Sequence, residues 1–435
     1  MRSPYPSYKP SGIEWLGDVP EHWEVKRLHR ICQLAYGDSL PADSRQTGEF
    51  PVLGSNGTVG YHKKTNTLAP VIVIGRKGSH GRVNFSDSPT FAIDTTFFID
   101  GRNTDAELRW LYFSLLCIEL DEESMDSAVP GLSRQYAYKK YLALPPLREQ
   151  RVIAAFLDQE TARVDALVEK KKQLIERLAE YRTALITQTV TRGLPPDVAE
   201  TEGFDPAPPL KSSGVEWLGD VPEHWDVRRL GHALSETVGG GTPSTANETY
   251  WADSDEEGIP WVAIADMSAG GEVTTTAKRI TPLGYAATQL RQLPPRTIIY
   301  SMYASVGAVA RLGISATTNQ AILGLLPRKR FDSSYLYWWL NGIRKIVLAM
   351  TRDNTQSNLN AETVCKIPLA VPPLSEQRAI AAFLDSQTEC INALSGQVEA
   401  AIERLQEYRT ALITAAVTGK IDVSDWEPVE TGASA

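Results

Sequence analysis

Two stretches of the chain carry an apolar position every three or four residues. Alternating steps of four and three from Ile153 meet Leu157, Glu160, Val164, Leu167, Lys171, Leu174, Leu178, Tyr181 and Leu185. The same steps from Ile380 meet Leu384, Gln387, Ile391, Leu394, Val398, Ala401, Leu405, Tyr408 and Leu412. Apolar side chains at this spacing face one way on a helix, and a repeat held this long is a coiled-coil seam. Two helices of about 40 residues, roughly 60 Å each, are expected. The plain alternative is two amphipathic helices on separate cores; the register shared by both series favours a seam. Pro145-Pro146 and Pro372-Pro373 precede the two stretches. Proline there can end a strand and admit a helix start. Glu160 and Gln387 share a repeat position, whereas Lys171 aligns with Val398. Unequal polar positions favour the two helices pairing with each other. The expected arrangement of the pair is an antiparallel coiled coil.

Other elements are shorter. Val71-Ile72-Val73-Ile74 and Thr297-Ile298-Ile299-Tyr300 are β-rich runs, each followed by a glycine-bearing turn. Across those turns Ser79, Gly81 and Val83 align faintly with Ser305, Gly307 and Val309. Helix candidates begin at Ala106 (AELRWLYFSLL) and Ser334 (SYLYWWLNGI).

The blocks around these elements are duplicated. Ser11–Leu28 (SGIEWLGDVPEHWEVKRL) returns as Ser213–Leu230 (SGVEWLGDVPEHWDVRRL) with only Ile/Val, Glu/Asp and Lys/Arg exchanges. Pro145–Asp158 (PPLREQRVIAAFLD) returns as Pro372–Asp385 (PPLSEQRAIAAFLD), and EYRTALIT occurs at Glu180 and again at Glu407. Between these blocks the halves hardly match. The expected architecture is α+β: two α/β domains that share a fold, joined by two long helices, with an internal pseudo-twofold repeat. The expected divisions are a first domain at 1–145, a helix at 146–192, an exposed, extended linker at 193–212, a second domain at 213–372, a helix at 373–420 and an acidic tail at 421–435.

Charge changes the picture only when it is divided. The formal net charge is −9. Residues 1–145 hold 16 basic and 17 acidic groups, and 211–372 hold 15 of each. Most of the excess lies in Asp197, Glu200, Glu202 and Asp205 and in Asp422, Asp425, Glu427 and Glu430. A local basic face on each insert is therefore compatible with the total. No run of about 18 apolar residues appears, so neither a membrane span nor a membrane partner is expected, and a cytoplasmic location is. Cys32, Cys117, Cys365 and Cys390 are widely spaced and read as reduced, buried thiols, with no metal site.

Catalytic patterns are missing. There is no GxxxxGK[ST] loop, no dinucleotide fingerprint and no HExxH or CxxC pair. His22 and His224 lie beside Asp18/Glu21 and Asp220/Glu223. An acid–histidine pair is one reading. The other is a docking segment with Trp15, Trp23, Trp217 and Trp225 buried and the histidine bonded locally; repeated Trp and Pro favour it. The GGGTP loop from Gly239 could cradle a phosphate, or be a turn into the insert.

Together SG.EWLGD.PEHW, PPL.EQR.IA.FLD, the long heptad helix and EYR.ALI resemble the specificity subunit of type I restriction–modification enzymes. The resemblance covers essentially the whole chain, twice over. GGGTPS, IPWVAIADM from Ile259 and TNQAI from Thr318 also resemble that family's target-recognition domains; the first insert lacks the GGGTP and IPWV elements. The resemblance implies a non-catalytic, sequence-specific DNA-binding subunit. Each insert would read one half of a bipartite, asymmetric site in double-stranded DNA. The helices would set the spacer and dock two modification (methyltransferase) subunits, with restriction subunits as further partners. No cofactor is expected in this chain; S-adenosylmethionine, ATP and Mg would sit on the partners. A rival reading is a coiled-coil adaptor carrying two modules that bind ligands or proteins other than DNA.

Base readout needs polar side chains on projecting loops. In the first insert these are Ser55, Asn56, Arg76, Lys77, Ser79, His80, Arg82 and Ser133 to Tyr136, with Arg134 and Gln135 among them. In the second they are Lys278, Arg279, Tyr303, Ser305, Asn319, Gln320 and Arg352 to Asn358, including Thr355 and Gln356.

Overall fold

A computed structural model describes residues 3–121, 131–253, 258–267, 271–303, 305–352 and 359–428. The chain divides into two compact units. One is Met1–Lys172 with Glu399–Ala435; the other is Gln173–Val398.

In the first unit, Tyr8–Pro10 pairs with Asp18–Pro20, and Glu24–Arg27 pairs with Tyr141–Leu144. A four-stranded antiparallel sheet runs Ala35–Tyr36, Thr96–Asp100, Val71–Gly75, Val83–Ser86. A three-stranded sheet runs Gly57–His62, Phe50–Gly54, Phe91–Ala92, the last pair parallel. Every residue of Val71–Gly75 is buried because the strand is covered on both faces. Ile72 and Ile74 join Trp110, Leu111 and Phe113 of the helix Leu108–Leu116, with Ile153 and Leu157. Val71 and Val73 meet Leu53, Ala92 and Phe98 on the other face. Ile413, Ala416 and Val417 complete the main core.

The second unit repeats these pairings. Leu210–Ser212 pairs with Asp220–Pro222, and Asp226–Arg229 with Pro368–Val371. Its main sheet runs Leu234–Gly239, Ile322–Pro327, Ile298–Ser301, Val309–Leu312, Glu272–Val273. Its second sheet runs Trp251–Asp253, Lys278–Ile280, Ile259–Val262, Thr317–Thr318. Ile298 and Tyr300 pack with Tyr335, Leu336 and Trp339 of the helix Ser333–Gly342, and with Ile380, Leu384, Ile186 and Val190. Ile299, Ala310 and Ile322 pack with Val262 on the opposite face. Glu272–Val273 and the helix Pro282–Thr288 belong to this longer insert. Each core thus takes the beginning of one long helix and the end of the other. The fold is α+β, with two α/β subdomains and two long helices.

Those helices span Leu147–Arg192 and Leu374–Val417, 46 and 44 residues. Ile153, Leu157, Val164, Ile380, Leu384, Ile391 and Val398 of the expected seam are buried. Leu178, Leu185, Leu405 and Leu412 are half-buried. Leu167, Leu174 and Leu394 depart from the expectation, being 42%, 41% and 42% exposed. Thr161, Val168 and Thr388, one residue beyond the series positions Glu160, Leu167 and Gln387, are buried instead. The Thr161 hydroxyl donates to the Leu157 carbonyl, and Thr388 to Leu384, both at 2.6 Å. That back-bond satisfies the hydroxyl and lets threonine face inward, where an apolar-only pattern passes it over.

Two further expectations are corrected. Within 193–212, Pro196–Thr201 is a helix with Ala199 buried, and Leu210–Ser212 is a paired strand. All four cysteines are free, but only Cys32 is buried and Cys390 is exposed on its helix. Burial pushes the Cys32 thiol up to about 12.

Candidate nucleic-acid interface

The duplicated blocks hold the inserts in place. Glu149 accepts from Trp23 Nε1 at 2.9 Å and contacts His22 Nε2 at 2.7 Å. Glu376 does the same with Trp225 at 3.0 Å and His224 at 2.8 Å. The histidines are therefore tied to the distant EQR segment, not bonded locally and not paired with Asp18 or Glu21. Trp23 and Trp225 are fully buried, whereas Trp15 is exposed and Trp217 only partly buried.

The next residue grips the insert. Gln150 Nε2 donates to the Pro145 carbonyl at 2.8 Å, and its Oε1 accepts the Glu107 N–H at 2.8 Å. Gln377 bridges the Pro372 carbonyl and the Asp332 N–H in the same way, at 2.8 and 2.9 Å. Glu107 and Asp332 are the N-caps of the two insert helices. Asp158 then pairs with Arg109, and Asp385 accepts from Trp338 and Arg311. EQR and FLD act as a docking plate for whatever insert lies above them.

On that plate the inserts present the same loops. The Gly75 N–H donates to Arg82 O, Gly81 to Gly75, Arg76 to Thr95 and Leu132 to Arg76. The second insert repeats all four: Ser301 to Ala308, Gly307 to Ser301, Met302 to Ala321 and Leu359 to Met302. Gly81 and Gly307 sit at φ +78° and +75°, where only glycine is unstrained. The faint Ser79–Val83 alignment with Ser305–Val309 is thus one turn built twice.

A second equivalence has no sequence trace. Gly37 and Asp38 donate to Thr96 and Ala92, as Gly240 and Gly241 donate to Ile322 and Thr318. A Cβ would fall 2.0 Å from Ile93 O at Gly37 and 2.1 Å from Asn319 O at Gly240. Phe50–Gly54 pairs in parallel with Phe91–Ala92, as Ile259–Val262 does with Thr317–Thr318. The first insert, which lacks the GGGTP and IPWV residues, therefore has backbone counterparts of both. The N–H groups of Gly240 and Gly241 are committed to carbonyls, which removes the phosphate-cradle option for that loop.

The candidate side chains divide by their bonds. Ser55 is buried and donates to Thr95 O at 2.7 Å. Both His80 ring nitrogens meet backbone carbonyls, of Gly78 and Asp121. Arg82 donates to Asn56 Oδ1. Arg279 donates to Gly258 O, Asn319 Oδ1 accepts from Ala321, and Gln320 Oε1 accepts from Thr242. Tyr303 is half-buried against the core. Lys77, Ser79, Gln135 and Ser305 are exposed, and so is Lys278, whose ammonium lies 5.5 Å from the Trp251 ring centroid. The Arg352 side chain, Thr355 and Gln356 lie outside the described residues.

Arg76 and Arg134 come together although 58 positions separate them in sequence. Their guanidinium carbons lie 5.1 and 4.9 Å from the Tyr36 ring centroid, and Phe97 backs the ring at 5.0 Å. Sequence reasoning missed Tyr36, which is 48% exposed and shows no periodic signal.

A family model, the type I restriction modification DNA specificity domain, matches residues 20–177 and 222–404. The chain belongs to this family. The specificity subunit MjaIX of Methanocaldococcus jannaschii is 28% identical over 172 residues, 38% of either chain. The HindI specificity subunit of Haemophilus influenzae is matched over 48% of its length, so the chain spans less than half of both these relatives. The putative MjaX specificity subunit of M. jannaschii is 22% identical over 94% of this chain and 96% of its own. The Escherichia coli EcoBI subunit is 26% identical over 80% and 73%. A chain solved in work on complex assembly and conformational transition of the type I R-M system shares the fold, at TM-score 0.64 and 18% identity. It is covered over 98%, and this chain over 92%. Among the described residues no group of His, Cys, Asp and Glu could hold a metal ion. Among them too, no helix is long and apolar enough to cross a membrane.

Proposed function

We propose that this chain is the cytoplasmic DNA-recognition subunit of a type I restriction–modification complex. Each insert reads one half of a bipartite, asymmetric site. The observation that carries the reading is the pair of matched turns. Gly75–Arg82 and Ser301–Ala308 share a hydrogen-bond pattern, yet Arg76, Lys77 and Arg82 stand where the second insert has Met302, Tyr303 and Ala308. One backbone with different side chains at its tips is what two different half-sites require.

The long helices set the unread spacer, pairing as an antiparallel coiled coil. Half-sites one DNA turn apart lie roughly 34 Å from each other on one face. A helix of 46 residues is about 69 Å long and can span that separation. Within the first unit, Arg409 of the second helix pairs with Asp165 of the first at 3.0 Å, which supports the pairing. The exposed Leu167, Leu174 and Leu394 offer apolar surface to two methyltransferase subunits. Restriction subunits complete the complex. The domain limits 1–145, 146–192, 193–212, 213–372, 373–420 and 421–435 are retained as the working division.

The test is a map of methylated adenines in the host with the gene intact and deleted. Loss of one two-part asymmetric motif on deletion is expected. An unchanged map would refute the recognition role.

A further inference from the structure

We infer that the first insert reads a G·C base pair through Arg76 and Arg134, held in reading position by Tyr36. The inference rests on the DNA-recognition reading and adds the base and the residues. The three side chains come from separate segments: a strand end, the 75–82 turn and the start of the helix Arg134–Lys139. Leu132 N–H donates to Arg76 O at 2.9 Å, and Lys77 bridges to Gly131, so backbone bonds lock the two arginine-bearing segments together.

Among the described residues, neither guanidinium has a carboxylate or hydrogen-bond partner; both lie over the Tyr36 ring. The ring quadrupole attracts them and fixes their planes. Two guanidinium groups over one ring repel each other unless an acceptor-rich surface meets them. The guanidinium fork matches the O6 and N7 acceptors that guanine shows in the major groove. A phosphate contact needs charge but not a fixed plane, and the exposed Lys77 next door can supply that charge. The corresponding positions of the second insert hold Gly239, Met302 and Ala361, so this device belongs to one half-site only.

The experiment maps adenine methylation in the host deleted for the gene and complemented with the full-length chain or its variants. With the wild-type chain, the half-site that Arg76 and Arg134 variants alter should contain G·C. Arg76→Ala and Arg134→Ala should each admit other base pairs at one position of that half, with roughly tenfold or greater loss of discrimination there. The other half should not change. Arg76→Lys should relax the same position, because lysine keeps charge without the fork. Tyr36→Ala should relax the position that the arginine variants relax.

A second measurement needs no variant. With the assembled modification complex, replacing that guanine by 7-deazaguanine removes N7 and should slow methylation roughly tenfold or more. Unaltered methylation of the 7-deaza site would overturn the inference. So would an altered half-site without G·C, or uniform loss across all sites that Arg76→Lys restores, which marks a phosphate contact. A methylation map insensitive to deletion of the gene would instead remove the parent reading, before any variant is made.

Discussion

The turns at 75–82 and 301–308 differ at six of eight positions and agree in every backbone hydrogen bond named above. The plates beneath them are the reverse case: EQR keeps its residues and the bonds of its glutamate and glutamine, and FLD keeps its residues although Asp158 and Asp385 take different partners. The contrast separates two kinds of constraint. A plate residue such as Gln377 meets fixed backbone groups on both sides, so chemistry and geometry are specified together. A turn residue such as Arg76 is specified only in its main chain, and its side chain is left free to vary.

The strongest challenge to that contrast is exchange of the insert. Replacing residues 29–144 with the first insert of another family member should redirect one half of the methylated motif completely and leave the other half and the spacer unaltered. Alteration of both halves in the methylation map would mean that the inserts are not independent readers.

The plate is challenged by its buried tryptophans. Trp225 is fully buried and its indole N–H is held by Glu376. Trp225→Ala should destabilise the protein by about 3–5 kcal/mol, read from urea or thermal unfolding. Glu376→Gln keeps an acceptor for the indole and should cost only about 1–2 kcal/mol. Glu149→Gln should cost more than Glu376→Gln. Glu149 also lies 3.3 Å from the buried Tyr5 hydroxyl, where the second half has Ala207. Equal costs at the two glutamates would show that Tyr5 adds nothing to the clamp.

The same contrast explains what the sequence made legible. The PPL junctions announced strand ends at Leu144 and Val371 and helix starts at Leu147 and Leu374, because proline constrains the backbone locally. The plate was visible as repetition, although its partner was not: His22 finds Glu149 across 127 positions. The kinship of Gly37-Asp38 with Gly240-Gly241 was illegible because close approach asks only for a missing Cβ and two free N–H groups. One glycine supplies that as well as three. The inward face of the helices was half legible, since leucine and valine advertise burial while Thr161 and Thr388 hide it in a back-bond. Tyr36, Arg76 and Arg134 could be joined only by the sheet that brings strand end, turn and helix together.

The smallest effect distinguishes holding DNA from reading it. Lys278 is exposed on an inner strand of the second insert's smaller sheet, with its ammonium over the Trp251 ring and no guanidinium fork to aim. On the proposed reading such a lysine would act as a point charge on a phosphate. Lys278→Ala should therefore weaken binding of the assembled complex uniformly across sequences and reduce the slope of log affinity against log salt by about one. The methylated motif should stay as it was, in contrast to Arg76→Ala. A change of motif with an unaltered salt slope would make Lys278 a reader, and the second insert would then recognise bases from its smaller sheet as well as from its turn.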